Sequence, residues 1–195
     1  MSYGWQTGIQ TNTLTAVSGI VRVGRQKLTA AQAAAADADG LLAAVEMPEE
    51  ATDVIVFENV MPYARSLTAV CSNTQAGKMT VYGTDIDGVV ISEEVTLNGA
   101  SSVESTKAFK TVTKINLPAA AGTETINVGW GDKIGIPFKL SATAANRPKP
   151  IDCTLNGVIE GTAAALTADA ATLSKNLIDL NSALNGTEVN IYYFV

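Results

Sequence analysis

From residue 52 onward, apolar and polar residues alternate with the two-residue period of strands that bury one face. Met79, Val81 and Gly83 interleave with Thr80, Tyr82 and Thr84. After Asp85-Ile86-Asp87-Gly88, a second run sets Val89, Ile91, Glu93, Val95 and Leu97 on one side, with Ser92, Glu94 and Thr96 on the other. This pattern predicts a β-hairpin with arms Lys78–Thr84 and Val89–Leu97. Further strands are predicted over Val54–Phe57, over Ser66–Cys71 after the Met61-Pro62-Tyr63 turn, and over Ala108–Leu117. Ile126, Val128 and Trp130 alternate again, as do Ile134, Ile136, Phe138 and Leu140, with Pro137 predicting an edge strand or a bulge. Beyond a proline-bearing connector (Asn146 to Pro150), Ile151–Glu160 and Val189–Val195 read as the last strands. Short strands joined by turn residues predict a mainly β fold, an antiparallel β-sandwich or jelly-roll-like domain.

The first 51 residues follow a different pattern. Met1 to Asn12 reads as an extended N-terminal arm, and Gly19–Val23 as a short strand. Leu28 to Ala44 is alanine-rich, and Thr29 with Gln32 has capping-box spacing. That spacing predicts a short helix through Ala36, stopped by Asp37-Ala38-Asp39-Gly40; a low-complexity loop is the competing reading. The span Thr162 to Ser174 stays open between helix and strand. The expected organisation is an arm plus alanine-rich segment over 1–51 and a β-sandwich domain over 52–195, with at most one or two short helices. Tyr3 and Trp5 are two large rings in an arm with little core of its own. They either fold back onto the domain or anchor to a neighbouring subunit, and are the candidate interface residues.

Composition narrows the function. With 195 residues and 47% apolar side chains, the chain suffices for one domain with a substantial core. A net charge of -6 repels phosphate backbones, so no nucleic-acid partner is expected. Histidine is absent, which removes the commonest general base, the histidine-dependent triads and most zinc chemistry. Cys71 and Cys153 lie in apolar, strand-like surroundings and read as buried free thiols of a protein made in the cytoplasm. Neither a signal-peptide pattern nor an apolar run of membrane-spanning length is visible, so no membrane partner is expected.

Each candidate for chemistry has a plainer reading. Gly129-Trp130-Gly131-Asp132-Lys133-Ile134-Gly135 has glycines like a dinucleotide loop, but the strand-like Ile136-Pro137-Phe138 follows where a helix should begin, so a structural turn is expected. The Asp-x-Asp-Gly stretches at Asp37 and Asp85 lack the earlier oxygen ligand of a calcium loop, Ala35 and Gly83 standing there instead. Glu93 and Glu94 are adjacent on a strand and point to opposite faces, which excludes a glycosidase pair. No catalytic, cofactor-binding or metal-ligating residue is assigned, and the chain is not expected to be an enzyme.

The order of these segments carries a resemblance. Pro62-Tyr63-Ala64-Arg65-Ser66-Leu67-Thr68, then Val81 to Gly88, Ile91 to Gly99, Lys107 to Val112 and Val128 to Pro137, resembles a pattern of uncharacterised tailed-phage virion structural proteins. The tail from Asn176 to Leu180, with Asn185-Gly186 and Val189 to Tyr193, is similar to that family's terminal strand. The resemblance covers about half the chain and carries over no catalytic residue. It implies a head-associated virion component, expected to be a capsid decoration (cement) protein on the capsid exterior. Its partners would be the major capsid protein and itself, as a homo-oligomer for which a trimer is the leading expectation. The alternatives are a head-fibre or tail-associated module that recognises a host surface, and a tail or neck component.

Overall fold

Lys78 to Thr84 and Val90 to Thr96 pair residue for residue, from Lys78 opposite Thr96 to Thr84 opposite Val90. Their turn is held by Asp85, whose carboxylate accepts the amides of Asp87 and Val89, both at 3.0 Å. Gly88 takes φ +83°, a conformation that glycine adopts without strain. The predicted hairpin is therefore present with its turn, its second arm spanning Val90–Thr96.

The computed structural model describes residues 23–120, 123–140 and 150–194. Its strands are β1 (Val23–Leu28), β2 (Asp37–Glu46), β3 (Thr52–Val54), β4 (Arg65–Cys71), β5 (Lys78–Thr84), β6 (Val90–Thr96) and β7 (Val103–Glu104). They continue with β8 (Thr111–Leu117), β9 (Thr125–Gly135), β10 (Pro150–Leu155), β11 (Val158–Ile159), β12 (Ala165–Thr167), β13 (Leu177–Asp179) and β14 (Val189–Phe194). Every pairing among them is antiparallel. The protein is mainly β and sandwich-like, and one 3-10 turn at Leu173–Lys175 is the helical element among the described residues.

Three sheets share two large cores, and a third, small cluster joins Ala64, Ala108 and Leu177. The central sheet runs β12-β13-β9-β4-β7, with β2 also paired to β9; the outer sheet runs β3-β8-β5-β6. Between them Leu67, Ala69, Cys71, Val128 and Trp130 meet Met79, Val81, Val95, Ile115 and Leu117. These are the inward positions of the alternating strands, so the period-2 pattern itself builds the sandwich. The third sheet, β1-β14-β10-β11, covers a second core with Leu28, Cys153, Val189, Ile191 and Tyr193 against Ile134, Ile178 and Leu180.

Several expectations change. Residues 23–46, which the sequence groups with the arm, supply β1 to the third sheet and β2 to the central one. The capping box of Thr29 and Gln32 does form, with the Thr29 amide donating to Gln32 Oε1 at 3.0 Å and the Gln32 amide to Thr29 Oγ1 at 3.4 Å. It closes a single turn, and no helix follows. The next carbonyls are taken by distant side chains: Ala34 O by Arg65 at 2.5 Å and Ala35 O by the Trp130 indole at 3.0 Å. Tertiary bonds thus override alanine's helix propensity, and the alanine-rich run continues as β2. The glycine run Gly129–Gly135 is no turn either, because it lies inside β9. β9 ends at Gly135, where the Ile136 amide donates to Asn176 O at 2.9 Å, so Pro137 lies just past the strand. Thr162 to Ser174 holds β12 and the start of the 3-10 turn. The candidate residues Tyr3 and Trp5, the predicted strand from Gly19 up to its last residue, and most of the Asn146–Pro150 connector lie outside the described residues.

Cys71 and Cys153 are free and buried, one in each core. Burial raises both thiols, Cys153 to about 11, because the apolar surroundings disfavour the thiolate. Both should therefore resist a thiol reagent in the native protein and react together on unfolding. An intact Cys71–Cys153 link in mass spectra of unreduced protein would contradict this.

Candidate functional site

The segment after β3 leaves its sheet. β3 pairs with β8 from Thr52 opposite Leu117 to Val54 opposite Ile115, and the pairing stops there. Ile55 to Phe57, predicted to continue the strand, turn instead towards β2. The Glu58 amide donates to Leu41 O at 3.1 Å and the Asn59 side-chain amide to Gly40 O at 3.0 Å. Two features result. Among the described residues, no strand pairs with Thr111 to Thr113 of β8 on the side away from β5. Beside that edge opens a cleft of about 360 Å³ with walls from Leu41, Phe57, Val60, Met61 and Val112.

The segment that contributes Phe57 to Met61 to the cleft lining also exposes aliphatic side chains. Val60 is 86% exposed, Val56 77% and Ile55 69%. Single exposed aliphatic residues need no explanation; here three fall within six positions, and Val60 of these lines the cleft. The lining also carries charge. Lys110 lines the cleft and holds its ammonium 5.2 Å from the Tyr63 ring centroid. Glu58 lines the cleft as well and is close enough to Asp39 of β2 for its charge to act on that carboxyl. The Asp39 carboxyl is raised above its ordinary range, first by its hydrogen bond with Asp37, then by desolvation and by the negative charges of Asp37 and Glu58.

A second polar assembly sits at the start of β4. Arg65 is fully buried, the largest side chain so enclosed. Its guanidinium donates to Ala34 O at 2.5 Å and to Asp132 Oδ1 at 3.2 Å, and its Nε has no partner among the described residues. Burial lowers its pKa to about 10, a shift that the Asp132 charge opposes, so it stays cationic near neutrality. Neighbouring Glu104 accepts from Ser66 Oγ at 2.6 Å and pairs with Lys133. Asp179 of β13 is raised first by desolvation, with Glu104 and Asp132 adding to it and Lys133 opposing. Arg65 pairs with Asp132 and Lys133 with Glu104 within the wall of the sheet. The assembly locks β4, β7 and β9 together, and the Ser66 hydroxyl that it sets on the Glu104 carboxylate belongs to a fully buried residue.

The remaining candidates resolve into structure. Asp85 is buried, and its carboxylate is occupied by two turn amides. Asp37 accepts the Asp39 amide at 3.3 Å. Among the described residues, no group of three acidic or cysteine side chains is placed to hold a metal, and no helix is long and apolar enough to cross a membrane. Glu93 and Glu94 do point to opposite faces. Glu93 binds the amides of Thr106 and Lys107 at 2.6 and 2.9 Å, while Glu94 pairs with Lys78 at 2.5 Å. The cleft has no counterpart among the sequence expectations, since Val54–Phe57 reads as an ordinary apolar strand. The residue-level signal is Glu58-Asn59, a polar pair that interrupts the run and reaches across to β2.

Compared with family models, with curated proteins and with solved structures, the chain matches none of them. Its class is therefore set by architecture alone: an antiparallel, three-sheet β protein whose described surface carries an apolar, strand-edged cleft.

Proposed function

We propose that the chain is a structural protein of a tailed-phage particle, held on the capsid exterior as a decoration protein. It works without catalysis, by spanning neighbouring copies of the major capsid protein as a homo-oligomer, with a trimer expected. The observation that carries the reading is the exposure of Ile55, Val56 and Val60 in one segment, with Val60 lining a cleft beside a strand edge that is unpaired among the described residues. Such a surface gains free energy by burial against another polypeptide, whereas chemistry would need convergent titratable groups. The order of the blocks between Pro62 and Leu140 supports the virion context. Repeated over a symmetric shell, even a weak contact of this kind becomes a strong attachment.

The rival reading, recognition of a host-surface carbohydrate, calls for an open aromatic platform. The outer sheet presents Tyr82 beside Thr80 and Thr84 on the face away from the core, but the Lys114 ammonium lies 4.4 Å from the ring centroid and occupies that face of the ring. The decoration reading is tested by mass spectrometry of particles purified from the source that encodes the chain. It should be present in fixed ratio to the major capsid protein, and its absence from intact particles would overturn the reading.

A further inference from the structure

Asparagine followed by glycine carries a chemistry of its own. The glycine amide nitrogen, with no side chain in the way, can attack the asparagine side-chain carbonyl carbon and close a cyclic imide. The chain holds three such pairs, Asn98-Gly99, Asn156-Gly157 and Asn185-Gly186, and each follows a leucine (Leu97, Leu155 and Leu184). Their local sequences are therefore matched, and the fold sets the differences between them.

Two of the pairs are held. The Gly99 amide donates to Gln75 O at 2.8 Å, and Gly99 is buried, with Asn73 O 2.7 Å from where a Cβ would stand. Asn98 is tied as well, its carbonyl accepting the Ser101 amide at 3.0 Å. The Gly186 amide donates to Ala33 O at 2.8 Å. Asn185 Oδ1 accepts from Thr187 Oγ1 at 2.6 Å and from the Thr187 amide at 3.2 Å. At both pairs the nucleophile is engaged in a hydrogen bond that has to break first, and at Asn185 the side-chain carbonyl is engaged too.

Asn156-Gly157 differs at each of these points. The pair forms the two-residue turn between β10 and β11, with φ +52° and +75°, the left-handed conformations that such a hairpin turn requires. Both residues are exposed, nothing lies within 4 Å of a Cβ at Gly157, and among the described residues no backbone carbonyl accepts the Gly157 amide. The Asn156 amide does donate to Glu188 O at 2.8 Å, but that nitrogen takes no part in ring closure. Rotating the Asn156–Gly157 peptide into line for attack disturbs chiefly β11, a two-residue strand at the edge of its sheet. Such short edge elements open at small cost.

We propose that Asn156 is a site of spontaneous, one-way modification to aspartate and isoaspartate, from which the fold shields Asn98 and Asn185. The Gly157 nitrogen loses its proton and bonds to Asn156 Cγ, the Cγ–Nδ2 bond breaks, and ammonia leaves with that proton. Water then opens the cyclic imide at either carbonyl. One opening leaves aspartate; the other leaves isoaspartate, whose backbone runs through the former side chain. Either product adds a negative charge to the turn, beside Val158 and Ile159, which are 69% and 62% exposed. Isoaspartate also adds a backbone atom, which a two-residue turn in this register does not absorb.

The test ages full-length protein at mildly alkaline pH, in buffer and in denaturant, until the unfolded chain has reacted at all three pairs. Peptide mapping places the amide-to-acid mass gain, and electron-based fragmentation separates isoaspartate from aspartate. In denaturant the three sites should react at similar rates. In the native protein Asn156 should react at least about tenfold faster than Asn98 or Asn185, each tenfold corresponding to about 1.4 kcal/mol more opening free energy at the shielded pairs. The Asn156 rate should rise with pH, as loss of the amide proton requires. Asn156→Gln, whose longer side chain closes a ring far less readily, should remove the acidic species from the native charge profile. Equal native rates at the three sites, a faster Asn98 or Asn185, or a native Asn156 that stays intact would each overturn the inference. A tenfold preference for Asn156 that persists in denaturant would overturn it as well, because the sequence and not the fold would then be responsible.

Discussion

Replacing Gly129 by alanine is expected to cost about 3 kcal/mol or more of folding stability, the scale of severe overpacking. Gly129 lies in the middle of β9, where β2 approaches on the face of the strand. A Cβ there would sit 1.8 Å from Asp37 O and 2.7 Å from Ala38 C, and both obstacles are backbone. Neither can rotate aside as a side chain does, so relief requires β2 to lift away from β9. That shift would also disturb the indole bond from Trp130 to Ala35 O and the packing of Gly40 on the Trp130 ring. Denaturant unfolding measures the loss. Gly161→Ala serves as the control, because nothing lies within 4 Å of where its Cβ would stand and a near-neutral effect is expected. A Gly129→Ala protein as stable as the native one would mean that β2 does not cross β9 here.

The second large effect concerns Arg65. Asp132→Ala is expected to cost about 3 kcal/mol, because it leaves a fully enclosed guanidinium without its counter-charge. Asp132 is itself about one-third exposed, with a side-chain exposure of 31%, which keeps the figure at the low end for such pairs. Arg65→Met should cost less, since it removes the buried charge together with its desolvation penalty and keeps most of the apolar stem. Arg65 also exchanges two backbone bonds with Phe109, at 3.1 and 2.8 Å, which the substitution leaves in place. Thermal and denaturant melts of the two variants decide the order. An Asp132→Ala protein that is as stable as the native one would show that Arg65 is satisfied by Ala34 O and solvent instead.

The contrast between these residues explains what was legible in the sequence. The hairpin was readable because alternation, turn chemistry and burial all point the same way at Lys78–Thr96. The β2 region was not, since alanine favours helix locally and the bonds that override it come from Arg65 and Trp130, far away in sequence. The glycines of β9 resemble a turn until the approach of β2 is known; a glycine inside a strand also signals a close backbone, which is the reading that holds here. Arg65 looks like a solvated residue at a strand start, and nothing adjacent in sequence announces that Asp132 will enclose it. The cleft was hidden for a related reason. Ile55 and Val56 have the composition of a buried strand, but β3 stops at Val54 and leaves them exposed. Residue type predicts burial only where a partner surface exists.

The central claim concerns where the chain sits, and a density map of particles purified from its source tests it most directly. The expected result is density for the three-sheet β body on the outer surface of the head, at symmetry-related positions between capsid subunits, with the Ile55–Val60 segment in contact with protein. Density for this body in a tail or neck ring, or a particle whose map and composition lack it altogether, would contradict that placement.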